Sequence, residues 1–84
     1  MNNLKTILIT GANRGIGLEL VKESLSKDFS VVGTFRNKQL SKNLLEISSN
    51  KLECLEMDVV DENSIAKASQ IIKQPIDYLI CNAG

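Results

Sequence analysis

Residues Thr10 to Gly17 read Thr-Gly-Ala-Asn-Arg-Gly-Ile-Gly, immediately after the apolar run Ile7-Leu8-Ile9 and immediately before a helical pattern. A strand that turns through glycines into a helix builds a place for a phosphate. Glycine permits the tight turn and lets the backbone approach a ligand that a Cβ would block. The following helix offers free N–H groups and the positive end of its dipole to an anion. The spacing is Gly-x-x-x-Gly-x-Gly. It excludes the P-loop pattern, because Ile16 stands where that pattern needs its second glycine and no Gly-Lys-Ser/Thr follows. The pattern Gly-x-Gly-x-x-Gly is absent as well.

Outward from this turn the chain alternates apolar runs with helical stripes, which predicts βαβαβαβ. Strand one, residues 5–10, is apolar without alternation, as a parallel strand covered on both faces should be. Helix A, residues 15–27, carries Ile16, Leu20, Val21 and Leu25 on one stripe. Strand two spans residues 30–35. Helix B, residues 39–48, aligns Leu40, Leu44 and Ile47. Strand three spans residues 52–57. Helix C begins with Asp61 as N-cap, buries Ile65, Ala68, Ser69 and Ile72, and ends before Pro75. Strand four spans residues 77–82. Short connections and right-handed crossovers make this an α/β chain with a parallel sheet, residues 1–84 reading as one unit.

The octapeptide resembles the Thr-Gly-x-x-x-Gly-Ile-Gly turn of the short-chain dehydrogenase/reductase family. Other features fall in that family's order: Arg36 ends strand two, Asp58-Val59 follows strand three, and Asn82-Ala83-Gly84 closes strand four. The resemblance covers essentially the whole chain and roughly the first third of a family member. It implies the first half of a Rossmann-type, doubly wound parallel sheet with strand order 3-2-1-4, and the Leu-Glu-Leu after the turn is most similar to small carbonyl-reductase-like members. On this reading Gly11 makes the turn, Gly15 lies against a pyrophosphate, and Gly17 lets helix A approach the sheet. Thr10 and Asn13 tie the turn together, and the Ile16 N–H donates to the pyrophosphate. The resemblance further implies that Asp58 accepts from the adenine amino group while Val59 packs on the ring; alternatively, Asp58 is an early cap for helix C. Asn82 holds strand four in register, and Ala83 and Gly84 leave room for a ribose. Where many members carry a second asparagine, this chain has Cys81.

The cofactor is expected to be NADP rather than NAD. An NAD-using member would carry an acid at the end of strand two. Arg36 occupies that place and presents a fork of donors to a 2′-phosphate. Arg14, the only other arginine, approaches from the glycine turn. No catalytic residue is assigned. The family's Tyr-x-x-x-Lys is absent, Tyr78 is the only tyrosine, and Asn82 stands where the lysine would be. The chain therefore reads as the cofactor-binding part of an NADP-dependent oxidoreductase acting on a small carbonyl or alcohol. The alternatives are a non-catalytic dinucleotide-binding module or an inactive truncation product.

Bulk properties narrow the remaining classes. Ten acids balance ten bases, so nothing recommends nucleic acid or an anionic membrane as partner. No apolar run approaches the roughly 18 residues of a membrane span, and the signal-peptide order is missing. The expected location is cytoplasmic. With no histidine and two cysteines at unsuitable spacing, no metal site is expected. In the order 3-2-1-4 the cysteines lie on opposite margins, on the order of 14 Å apart, beyond disulfide reach. The apolar edge Leu79-Ile80-Cys81 at one margin invites pairing with another chain, so a homo-oligomer is expected.

Overall fold

The computed structural model describes residues 4–82. The elements are β1 (Thr6–Ile9), α1 (Gly15–Ser26), β2 (Ser30–Phe35), a 3-10 turn (Lys38–Leu40), α2 (Lys42–Leu45), β3 (Leu52–Glu56), α3 (Glu62–Ile71) and β4 (Tyr78–Ile80). All pairings are parallel and the strand order is β3-β2-β1-β4. This is the Rossmann-type topology expected; β2 has the expected bounds, and β3, β1 and β4 are one, two and three residues shorter than expected.

The uninterrupted apolar character of β1 and β2 follows from their central position. Side chains alternate between the two faces of a strand, and both faces are covered here. Ile7, Ile9, Val31 and Phe35 pack with Leu18 and Val21 of α1 and Leu44 of α2. Leu8 and Val32 face the other way, with Leu55 of β3 and Ala68 of α3. The outer strand β4 is held at its start by a reciprocal pair: the Thr6 N–H donates to Asp77 Oδ2 at 2.8 Å and the Asp77 N–H to the Thr6 carbonyl at 2.9 Å. Tyr78 meets Phe29 edge-on, ring centroids 6.0 Å apart. The sole tyrosine is thus at the amino end of its strand, away from the carboxyl edge where ligands of open α/β sheets bind.

The helices differ more from expectation than the strands. The buried stripe of α1 is Gly17, Leu18, Val21 and Ser24, with Leu20 and Leu25 partly buried. Ile16 does not join it; it is 72% exposed. Helix B does not form as one element. Residues 38–40 make a 3-10 turn and only residues 42–45 are α-helical. Ser41 interrupts it, because its hydroxyl donates to the Asn37 carbonyl at 2.7 Å and so competes for local backbone. Leu44 is fully buried, whereas Leu40 is exposed. On α3 only Ala68 is fully buried; Ile72 is half-buried, and Ile65 and Ser69 are exposed. That helix ends at Ile71, four residues before Pro75, with Ile72 already extended. Lys51 reaches the Leu25 carbonyl (3.1 Å) and Asp28 Oδ1 (2.9 Å), closing the end of α1.

Cys54 lies on the marginal strand β3, whereas Cys81 falls just past the end of the opposite marginal strand β4; both are free. Burial, followed by the neighbouring Glu53 charge, pushes the Cys54 thiol pKa up. No helix among the described residues is long and apolar enough to cross a membrane, and no cluster of metal-ligating side chains occurs among them.

Asp61 is the N-cap of α3, its carboxylate accepting from the Asn63 and Ser64 N–H groups at 3.0 and 3.5 Å. Replacing Asp61→Ala should lower stability by about 1 kcal/mol, read as a shift in the urea midpoint at constant slope. An unchanged midpoint would mean the cap contributes nothing.

Candidate functional site

The carboxyl edge of the sheet opens into a cleft of about 440 Å³. Its walls come from four places: the glycine turn (Gly11, Asn13, Arg14, Gly15), the end of β2 and the segment after it (Thr34, Arg36, Asn37, Leu40), the loop after β3 (Met57 to Val60), and Asn82. Of the residues singled out in the sequence, Gly11, Asn13, Arg14, Gly15, Arg36, Asp58, Val59 and Asn82 line this one cleft. Thr10 and Gly17 are buried beneath it, and Ile16 stands exposed at the start of α1. Ala83 and Gly84 lie outside the described residues.

Each glycine of the turn has a separate physical requirement. Gly11 and Gly15 adopt φ of 60° and 59°, the left-handed region where a Cβ is strained. A Cβ on Gly15 would meet nothing within 4 Å, so the backbone there borders open cleft. Gly17 is required for the opposite reason. A Cβ at that position would collide with the Gly11 carbonyl oxygen, and would lie 2.6 Å from Asn82 Nδ2 and 2.9 Å from the Gly11 carbonyl carbon. Two of those three atoms belong to backbone and cannot swing aside.

The polar side chains of the turn bond to neighbouring segments. Thr10 Oγ1 donates to the Ile80 carbonyl (3.4 Å) and accepts from the Asn82 N–H (2.9 Å). Asn82 Nδ2 in turn donates to the Gly11 carbonyl at 3.1 Å. The carboxyl end of β4 is therefore laced onto the turn by Asn82. Ala12 N–H donates to the Thr34 carbonyl at 2.8 Å, and Asn13 Nδ2 to the Leu40 carbonyl at 3.3 Å. Cys81 is exposed beside Asn82.

Asp61, not Asp58, caps α3. Asp58 Oδ1 accepts from the Val60 N–H at 3.1 Å, and the Asp58 N–H donates to Ser64 Oγ at 2.8 Å, so the carboxylate sits in a tight turn at the cleft wall.

Two helices start at this edge with opposite electrostatics. The N-terminus of α3 is already satisfied by Asp61 and has Glu62 in its first turn. The N-terminus of α1 has no side-chain cap and no acid in its first turn, and its N-cap position is Arg14. N–H groups without a side-chain cap, the positive dipole end and a guanidinium coincide there, which favours an anion. Arg36 is exposed on the same cleft.

Sequence reasoning missed Thr34, Asn37, Leu40, Met57 and Val60 among the lining residues. The Thr34 hydroxyl is buried with no hydrogen-bond partner among the described residues. Its apolar neighbours gave no signal that a polar atom at the end of β2 would be left at the cleft floor.

Comparison with known proteins agrees with the geometry. The family profile described as short chain dehydrogenase matches residues 5–84. The chain is 38% identical over 88 residues to estradiol 17-beta-dehydrogenase 1 of Rattus norvegicus, covering 93% of this chain and 26% of that protein. It is 36% identical over 87 residues to (-)-isopiperitenone reductase of Mentha piperita, covering 92% and 28%. Among solved structures, a carbonyl reductase from Pseudomonas aeruginosa superimposes with a TM-score of 0.85 at 30% identity, over 96% of this chain and 39% of that one. A short-chain dehydrogenase/reductase from Burkholderia multivorans with bound NADP superimposes with a TM-score of 0.81 at 32% identity, over 96% and 37%. The chain spans roughly a quarter to two-fifths of these relatives' lengths.

The two kinds of glycine should separate by magnitude. In the whole protein, Gly15→Ala should cost about 1–2 kcal/mol, the left-handed penalty alone. Gly17→Ala must displace backbone and should cost about 3 kcal/mol. Chemical denaturation of both variants checks the order, and equal or reversed costs would contradict it.

Proposed function

Since the chain belongs to the short-chain dehydrogenase family, we propose that it forms the dinucleotide-binding part of an oxidoreductase that prefers NADP(H) to NAD(H) and acts on a small carbonyl or alcohol. The observation that carries this reading is the convergence on one cleft of an uncapped helix N-terminus, a glycine turn bordering open space, and both arginines of the chain. The residues fit the cofactor on physical grounds. An anion meets the open N–H groups of α1, and the orphaned Thr34 hydroxyl leaves polar capacity at the floor.

On this reading the backbone of Gly15 and Ile16 receives the pyrophosphate. Arg14 and Arg36 hold the 2′-phosphate. Asp58 and Val59 meet the base, and Asn82 with Ala83 and Gly84 borders the second ribose. When bound, the cofactor supplies or accepts the hydride. The residues of this chain bind and orient it, and the reacting groups toward substrate are not among those assigned here. The NADP-bound Burkholderia relative supports the cofactor choice. The named relatives, reductases and dehydrogenases of carbonyl and hydroxyl compounds, support the substrate class.

The preference should depend on Arg36. A charge-assisted hydrogen bond to phosphate contributes about 1.5–3 kcal/mol, roughly 10- to 150-fold in affinity. Arg36→Asp in the whole protein should therefore erase or reverse the NADP(H)/NAD(H) ratio measured by cofactor titration. The same ratio before and after the change would show the assignment to be wrong.

A further inference from the structure

The end of α1 remote from the cleft carries a residue that its position disfavours twice. Asp28 has a φ of 65° and is the one residue other than glycine with positive φ among the described residues. Its N–H donates to the Leu25 carbonyl at 3.2 Å, and the Phe29 N–H donates to the Ser24 carbonyl at 3.0 Å. These two bonds make the Schellman closure of a helix, which places a left-handed residue, usually glycine, where Asp28 stands. Aspartate tolerates that conformation better than most side chains, but at a cost that glycine lacks. Its charge is misplaced as well, since the last turn of a helix is the negative end of the dipole.

Lys51 meets both difficulties. Its Nζ donates to Asp28 Oδ1 at 2.9 Å and to the Leu25 carbonyl at 3.1 Å, so a cation sits at the negative helix end and against the carboxylate. The backbone of Lys51 is fixed independently. Its N–H donates to Ser49 Oγ at 3.1 Å, and its carbonyl accepts from the Val31 N–H at 2.8 Å. An isolated ion pair on a side chain as exposed as that of Asp28 stabilises little, partly because two mobile side chains must be ordered to form it. Here the Leu25 carbonyl already anchors the ammonium, and the Lys51 side chain is only 28% exposed. The carboxylate therefore meets a cation whose position is set without it.

We infer that Lys51 is a clamp that makes aspartate admissible at the left-handed end of α1, coupling that end to the crossover between β2 and β3. The device lies at the amino edge of the sheet and is independent of the cofactor reading.

A double-mutant cycle in the whole protein, read as thermal unfolding midpoints, tests the coupling. Lys51→Met should lower the midpoint by about 2–4 °C. With Lys51 present, Asp28→Gly should leave the midpoint within about 1 °C, because losing the carboxylate's bond offsets the relief of the left-handed residue. In the Lys51→Met background the same Asp28→Gly change should raise the midpoint by about 2–4 °C, since only the relief remains. If Lys51→Met does not fold, Lys51→Gln takes its place with the same expectation. An Asp28→Gly shift of equal size in both backgrounds, whatever its sign, overturns the inference, because aspartate would then stand at that position without help from Lys51.

Discussion

Helix α1 comes so close to the strand before it that no side chain fits between them. At Gly17 the helix backbone rests on the Gly11 carbonyl, and Asn82 donates to that same carbonyl from the end of β4. Everything at the carboxyl edge depends on this approach. It sets where the N-terminus of α1 points, forces Gly11 and Gly15 into positive φ to connect strand and helix, and draws β4 into register through Thr10. A larger residue at position 17 would push the helix off the sheet and carry its N-terminal N–H groups out of the cleft. The Gly-x-x-x-Gly-x-Gly spacing is thus a packing specification first and a ligand site in consequence.

Given that scaffold, the electrostatics divide the labour. A helix terminus contributes roughly 0.3–1 kcal/mol toward a nearby anion. Hydrogen bonds from a guanidinium to phosphate contribute about 1.5–3 kcal/mol. On the proposed reading the turn decides where a phosphate lies, while the arginines decide which nucleotide is preferred. The capped, acid-bearing N-terminus of α3 offers no competing site at the same edge.

Strand order, parallel pairing and the glycine turn were legible because they rest on coarse signals: unbroken apolar runs, alternating element types and a spacing few other structures use. The Asp61 cap was legible too, since its chemistry is local. Misreadings concentrate where two local choices compete. Leu40, Leu44 and Ile47 have helical spacing, but Asn37 and Ser41 bond to nearby backbone and break the segment, so only Leu44 reaches the centre of the core. Ile16 has the right spacing for the stripe of α1 but sits in the first turn, past the sheet's edge, with no partner layer above it. Lys51 and Thr34 were opaque for another reason. Their roles depend on which segments the crossovers bring beside them, and no nearest-neighbour pattern encodes that.

The most direct test is a crystal structure of the whole protein with NADP(H). The pyrophosphate should lie at the start of α1 against the Gly15–Ile16 backbone, and the 2′-phosphate should be within hydrogen-bonding distance of both the Arg14 and Arg36 guanidinium groups. A cofactor bound with its 2′-phosphate away from both arginines, or with its pyrophosphate away from the glycine turn, would contradict the assignment of this cleft.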